Sequence, residues 1–250
     1  MIWFTAFFMA WGMFLALPCP VRKWDEAARS RMLVLFPLIG CIVGGLWALS
    51  AWLLRLVHCP QALSALVLAA FPWLITGFIH LDGYSDVCDA ILSRRDLETR
   101  RRILKDPHIG AFGVISLALL MLASFAVFLS AAEEQDPRAL LVSLALVPVS
   151  VRASAGLAML TLRRMESSQY AETKPKPGYI SALAAVLAAA AVTPAIVFGV
   201  HGLAPAAACL AYWAAAYGAY RNLGGMNGDV SGFALTLAEL VGAAVLILLK

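Results

Sequence analysis

Apolar residues gather along this chain in long runs broken by short polar punctuation. The runs fall near 2–17, 32–56, 62–81, 110–131, 139–162, 180–200, 203–220 and 232–249. Most have the length a helix needs to cross a hydrocarbon core of about 30 Å. The pattern predicts an all-α fold, a polytopic integral membrane helix bundle of about 7–8 transmembrane helices. It predicts one domain over residues 1–250, with the first and seventh spans the shortest.

Composition sharpens this picture. Hydrophobic residues make up 62% and charged residues only 14% of the chain, where a soluble domain carries about a quarter charged. The N-terminal "MIWFTAFFMAWGMFLALP" has no positive segment before its apolar stretch and no small-x-small site after it. It reads as a first membrane helix, not a removed targeting sequence. Five cysteines are scattered without a CxxC pair, which argues against a disulfide framework or a zinc site. The net charge of +4 is too mild for a nucleic-acid-binding stripe.

Charge alternates from loop to loop. "CPVRKWDEAARSR" carries Arg22, Lys23, Arg29 and Arg31, whereas "HCPQ" carries no Lys or Arg. "SRRDLETRRRILK" has six and "AEEQDPR" only Arg138; "RRMESSQYAETKPKP" has four and "HG" none. With eight spans, every basic loop falls on one side. The positive-inside rule makes that side cytoplasmic and both termini external.

The stretch "HLDGYSDVCDA" (80–90) sets Asp82, Asp86 and Asp89 at i, i+4 and i+7. On a helix these lie within about 60° of one another. Clustered carboxylates repel unless a cation sits among them, and oxygen-only ligands suit Mg²⁺, which binds through carboxylates plus substrate phosphates. A solvated helix end is the alternative. Downstream, Lys105, Asp106 and His108 precede "GAFG", where Gly110 and Gly113 permit close backbone approach and a helix N-terminus offers amides to phosphate. The arginines at 94, 95 and 100–102 read as topology determinants. Arg152 lies inside an apolar run, as does Glu239. A charge there faces the bundle interior or a wet cavity, as an anion ligand, an aspartate partner or half of a buried ion pair. Finally, "LGGMNGDVSG" packs four glycines around Asn227 and Asp229, more than a simple connector requires.

These motifs, together with "LFPLIGCIVGG" (35–45), resemble those of the cobalamin synthase (adenosylcobinamide-GDP ribazoletransferase) family over nearly the whole chain, in order and spacing. The resemblance implies a multi-pass protein of the bacterial inner membrane with cytoplasmic active-site loops. It also implies Mg²⁺ as cofactor, and transfer from adenosylcobinamide-GDP to α-ribazole or its 5′-phosphate with release of GMP. Carried over, the acidic motif falls on His80, Asp82, Gly83, Asp86 and Asp89, with these three aspartates as metal ligands. The second motif falls on Lys105, Asp106, Gly110 and Gly113, and the last on Gly224, Gly225, Gly228 and Asp229. Arg152 matches a family arginine. On this reading His80, the three aspartates and Lys105 are catalytic, an aspartate being the first choice of base. Asp106, Gly110, Gly113, Arg152, Gly225, Gly228 and Asp229 contact substrate. The partners are the two substrates and the lipid bilayer, with a homo-oligomer compatible and no nucleic acid.

Three positions depart from the family pattern: Ala16 replaces an arginine, Asn227 a threonine and Tyr84 a leucine. None removes a carboxylate. A CDP-alcohol phosphotransferase acting on lipids would show Ala-Arg soon after its Asp-Gly, but "YSDV" follows Asp82-Gly83 here. A transporter would place its acids near the midplane, often in repeated halves.

Overall fold

The computed structural model describes residues 1–131, 137–171 and 176–249. Its helices are α1 (Ile2–Phe14), α2 (Arg29–Val34), α3 (Phe36–Leu56), α4 (Gln61–Ile75), α5 (Ile79–Leu92), α6 (Leu97–Ile103), α7 (Ala111–Leu129), α8 (Pro137–Thr161), α9 (Pro177–Phe198), α10 (Ala204–Leu223) and α11 (Gly228–Leu248). The described residues contain no named β-strand, only an isolated bridge between Arg164 and Met226. Residues 132–136 and Lys174, used in the loop charge comparison, lie outside the described residues.

Among the described residues five helices are long and apolar enough to cross a membrane: α3, α7, α8, α9 with the turn after it, and α11. Counting α4 with α5 as one broken span gives six. The expected 7–8 is therefore slightly too many. The first span fails on length, because α1 has only 13 residues, about 20 Å of helix. The seventh fails on composition. At 20 residues α10 is long enough, but three tyrosines, Trp213, Arg221 and Asn222 dilute its apolar character.

Two helices form the hub. The apolar window of α8 is 78% buried and that of α11 67%, against 22% for α9 and 28% for α7. The latter two turn most of their surface outward, as lipid-facing helices do. Helix α3 lies close along α8 because Gly40 and Gly44 face its backbone. A Cβ at Gly40 would sit 2.7 Å from the Pro148 carbonyl oxygen, and one at Gly44 would strike Ala145. Small residues give this close packing in membranes, where no hydrophobic force drives helices together.

The predicted continuous span 62–81 is broken. Gly77 and Phe78 both take positive φ, 62° and 63°, and α5 leaves α4 at 91°. The left-handed conformation at Phe78 costs about 1–2 kcal/mol. Surrounding hydrogen bonds hold it: the amides of Gly77 and Phe78 donate to the carbonyls of Leu74 and Trp73, and the Ala16 amide donates to the Ile75 carbonyl at 2.8 Å. Pro72 inside α4 cannot donate to Leu68. That freed carbonyl accepts from the Trp47 indole at 2.9 Å.

Candidate active site

The 91° turn delivers the acidic motif on a helix of its own. Along α5, Asp82 is exposed, Asp86 half-buried and Asp89 buried. Helix α11 runs alongside it. A Cβ at Gly83 would lie 2.8 Å from the Cα of Asp229, and one at Gly232 would lie 3.3 Å from the Cα of His80. The Thr236 hydroxyl donates to the His80 carbonyl at 3.3 Å. Asp229 thus reaches the opening motif, and Asp82, Asp86 and Asp229 lie within electrostatic reach of one another. Asn227 prepares the place: its Oδ1 accepts from the Val230 amide at 2.9 Å, capping α11, while its Nδ2 donates to Asp229 at 2.6 Å. The family's threonine at this position is also an N-cap residue, so the departure preserves the cap.

Asp89 has a different position from that of its two neighbours. Both of its oxygens accept from backbone amides at the start of α7, Gly110 at 2.7 Å and Gly113 at 2.9 Å. The sequence groups Asp89 with Asp82 and Asp86 and leaves the Gly110 and Gly113 amides to a phosphate. The structure instead closes these groups on each other, a carboxylate at a helix N-terminus. A Cβ at either glycine would strike this carboxylate, which explains both residues. Among the described residues no three His, Cys, Asp or Glu side chains gather to hold a metal ion by themselves. Asp82 and Asp86 with Asp229 nearby still fit Mg²⁺, which commonly takes one or two carboxylates and completes its shell with substrate phosphates and water.

Of the readings open for Arg152, the structure shows the buried ion pair. Arg152 is fully buried, its Nη1 bonded to Glu239 at 2.8 Å and to the Pro148 carbonyl at 3.3 Å, with the guanidinium 5.7 Å from the Phe36 ring centroid. The two intramembrane charges pair with each other and tie α8 to α11. Asp106 stays on the exposed turn, where the His108 amide at 3.0 Å and imidazole at 2.8 Å approach one oxygen. The His108 backbone N–H, then its side chain, hold this carboxyl below the usual carboxylate range.

Two cavities flank the glycine loop. The first, with about 640 Å³ of unfilled space including its open mouth, is walled by Phe14, Phe36, Met159 and Tyr170 and rimmed by Asp82 and Asp229. His80 sits in its wall beside the rings of Phe14 and Phe36, at 6.0 and 6.3 Å between centroids. Its Nε2 is buried without a hydrogen-bond partner among the described residues. The second cavity, about 850 Å³ counted in the same way, collects Arg101, Lys105, Arg163 and Arg164 against the single carboxylate of Glu166. Lys105 therefore stands with three arginines. The sequence shows Arg163 and Arg164 only as loop charge. What brings them here is pairing between the Met165 amide and the Met226 carbonyl, and between the Met226 amide and the Arg163 carbonyl, each at 2.9 Å. Gly225 is pressed against Met165 in this bridge, Gly224 takes φ +72° with Arg101 against it, and Gly228 opens α11 with free space around it.

A family model described as cobalamin-5-phosphate synthase matches residues 6–247. The chain belongs to that family. It is 36% identical over 251 residues to an adenosylcobinamide-GDP ribazoletransferase of Clostridium perfringens (strain 13 / Type A), covering 98% of each chain. A Clostridium botulinum (strain Alaska E43 / Type E3) protein of the same name is 33% identical over 244 residues, covering 96% of this chain and 95% of its own. One of that name from Shigella flexneri is 30% identical over 243 residues, 90% of this chain and 92% of its own. No solved structure matches. Within the family's frame, α5 and α11 carry the two motifs that meet, the second motif supplies the start of α7, and the "LFPLIGCIVGG" glycines set α3 on α8.

Proposed function

We propose that this protein is a membrane transferase that joins adenosylcobinamide-GDP to α-ribazole, or to α-ribazole 5′-phosphate, in the last steps of cobalamin biosynthesis. An acceptor ribose oxygen attacks the phosphorus attached to cobinamide. The bond from that phosphorus to the bridging oxygen breaks, and GMP leaves with the oxygen. The observation that carries this reading is the meeting of Asp82 and Asp86 on α5 with Asp229 on α11, in a chain of this family.

Asp82 and Asp86 would hold Mg²⁺ together with phosphate oxygens of the substrate, and Asp229 stands nearby. When bound, the ion neutralises charge on the diphosphate and on the leaving phosphate. The chain's own groups do the rest. The half-buried Asp229, oriented by Asn227, is placed to take the acceptor proton. The aromatic wall of Phe14, Phe36 and Tyr170 suits the flat heterocyclic base of a nucleoside acceptor. Arg101 bonds to the Leu223 and Gly224 carbonyls, and the Met226 amide to the Arg163 carbonyl. The basic loops after α5 and α8 therefore lie beside the glycine loop whatever the span count, and we assign this face to the cytoplasmic side of the bacterial inner membrane by the positive-inside rule.

The test is incubation of purified protein with adenosylcobinamide-GDP, α-ribazole and Mg²⁺, with chromatography of the nucleotides. GMP and the joined corrinoid should appear in equal amounts, and EDTA should stop both. Folded protein that forms neither, or instead releases CMP from a CDP-alcohol, overturns the reading.

A further inference from the structure

The basic cleft lies on the far side of the glycine loop from the acidic cluster, and the proposed role of that cluster leaves it unexplained. Its cations come from two segments distant in sequence, the end of α6 with Lys105, and Arg163 and Arg164 just after α8. Arg101, Lys105 and Arg163 are exposed and Arg164 is half-buried, so exposure alone would suit charges that only orient a membrane protein. Two of them, however, are fixed in place by backbone carbonyls. Arg101 donates Nε to Leu223 at 2.8 Å and Nη2 to Gly224 at 3.0 Å, and Arg164 donates Nη1 to Met159 at 3.0 Å. The side chains of Lys105 and Arg163 make no ion pair or hydrogen bond with the described residues. Four like charges in one concavity repel, and among the described lining residues only Glu166 opposes them. Such an arrangement is stable when an anion sits in it, and fixed guanidinium forks suit phosphate oxygens. Its cavity volume of about 320 Å³ lies at the lower end of the range for small-molecule sites, about 300–1,000 Å³.

The position selects the anion. Asn227 lines this cleft and holds Asp229, which rims the other cavity. One residue thus stands between the cation cleft and the carboxylates. We propose that the cleft formed by Arg101, Lys105, Arg163 and Arg164 is a second phosphate subsite, separate from the carboxylate cluster. It holds a phosphate carried by a participant in the reaction: the 5′-phosphate of the acceptor, or the phosphate of the departing nucleotide. This inference rests on the proposed transferase reading.

The experiment uses the full chain in nanodiscs of zwitterionic lipid, with and without added phosphatidylglycerol, comparing the parent with Arg163→Gln and Arg163→Glu. Matching melting temperatures establish that the variants fold. If the acceptor phosphate binds here, the KM for α-ribazole 5′-phosphate rises about tenfold more than that for α-ribazole. If the nucleotide binds here, GMP binding measured by equilibrium dialysis weakens about tenfold, and the KM values for both acceptors change alike. Glutamate should exceed glutamine in either case. Constants within about twofold of the parent for both variants, or an effect confined to anionic lipid, overturn the proposal; the latter would make the cleft a headgroup site. Dialysis requires no turnover. A parent that makes no GMP therefore refutes the transferase reading, while dialysis of GMP and of α-ribazole 5′-phosphate still decides the cleft: weakened binding of either in the variants supports it, and unchanged binding of both overturns it.

Discussion

Asp89 and Asp82 belong to one motif and are the same residue type, yet the structure buries one against two amides and leaves the other exposed at the cavity rim. Asp89→Ala removes both acceptors at the start of α7. The buried Gly113 amide then loses its partner, and the partly solvated Gly110 amide loses a charge-assisted one. Unsatisfied buried donors cost about 1–3 kcal/mol each, with charge-assisted bonds at the upper end, so the loss should be about 3–5 kcal/mol. Asp89→Asn keeps one acceptor and turns an NH₂ toward the other amide, costing about half as much. For a chain of this size each kcal/mol lowers the melting temperature by roughly 2–4 °C, so Asp89→Ala should fall by roughly 6–20 °C. Asp82→Asn and Asp86→Asn remove one of several like charges and should melt within about 2 °C of the parent or above it. Their turnover should fall at least about 100-fold, while Asp89→Asn, assayed well below its transition, keeps most of its rate. The assay is a melt in detergent at fixed scan rate, paired with GMP release. If Asp89→Asn melts with the parent and is inactive, or Asp82→Asn melts as low as Asp89→Ala, the division of labour is wrong.

Three further outcomes are expected. Arg152→Met alone strands Glu239 and should destabilise by about 3–5 kcal/mol, whereas Arg152→Met with Glu239→Leu should recover most of the loss; a double variant as unstable as the single one would show that the pair itself is needed. Asp229→Ala should cost at least about tenfold in turnover, roughly 1.4 kcal/mol, and combined with Asp86→Asn should lose much less than the product of the single losses; simple multiplication would place Asp229 outside the unit. Cysteine probes at 94–102 should resist labelling from outside intact cells, while a probe at 58, between α3 and α4, should label; the opposite pattern would reverse the assigned orientation and equal labelling would overturn it.

Much of the architecture was legible because hydrophobic runs report length directly. Helices α7, α8, α9 and α11 fall within a few residues of their apolar stretches. The run 62–81 misleads, because a left-handed Phe78 turns the chain without interrupting its hydrophobicity. The helical spacing of Asp82, Asp86 and Asp89 was correct, but spacing does not say what occupies each carboxylate. Nothing local distinguishes an aspartate that caps the next helix from one that faces substrate. Arg152 and Glu239 were both visible as intramembrane charges, and a buried ion pair was one of the readings left open. The grouping of Lys105 with Arg163 and Arg164 was invisible, since it depends on a backbone bridge between segments some sixty positions apart.

Order of synthesis gives the Arg152–Glu239 pair a further consequence. The two residues are 87 positions apart, so at about 5–20 residues per second roughly 4–17 s separate their emergence from the ribosome. Throughout that interval α8 carries an arginine with no carboxylate to meet it, which opposes residence in lipid by about 2.5–3.5 kcal/mol. The hub helix settles only when α11 arrives, and α11 brings Asp229 in its first turn. Nascent chains halted before that helix should remain poorly inserted, prey to quality-control proteases, and incapable of the reaction.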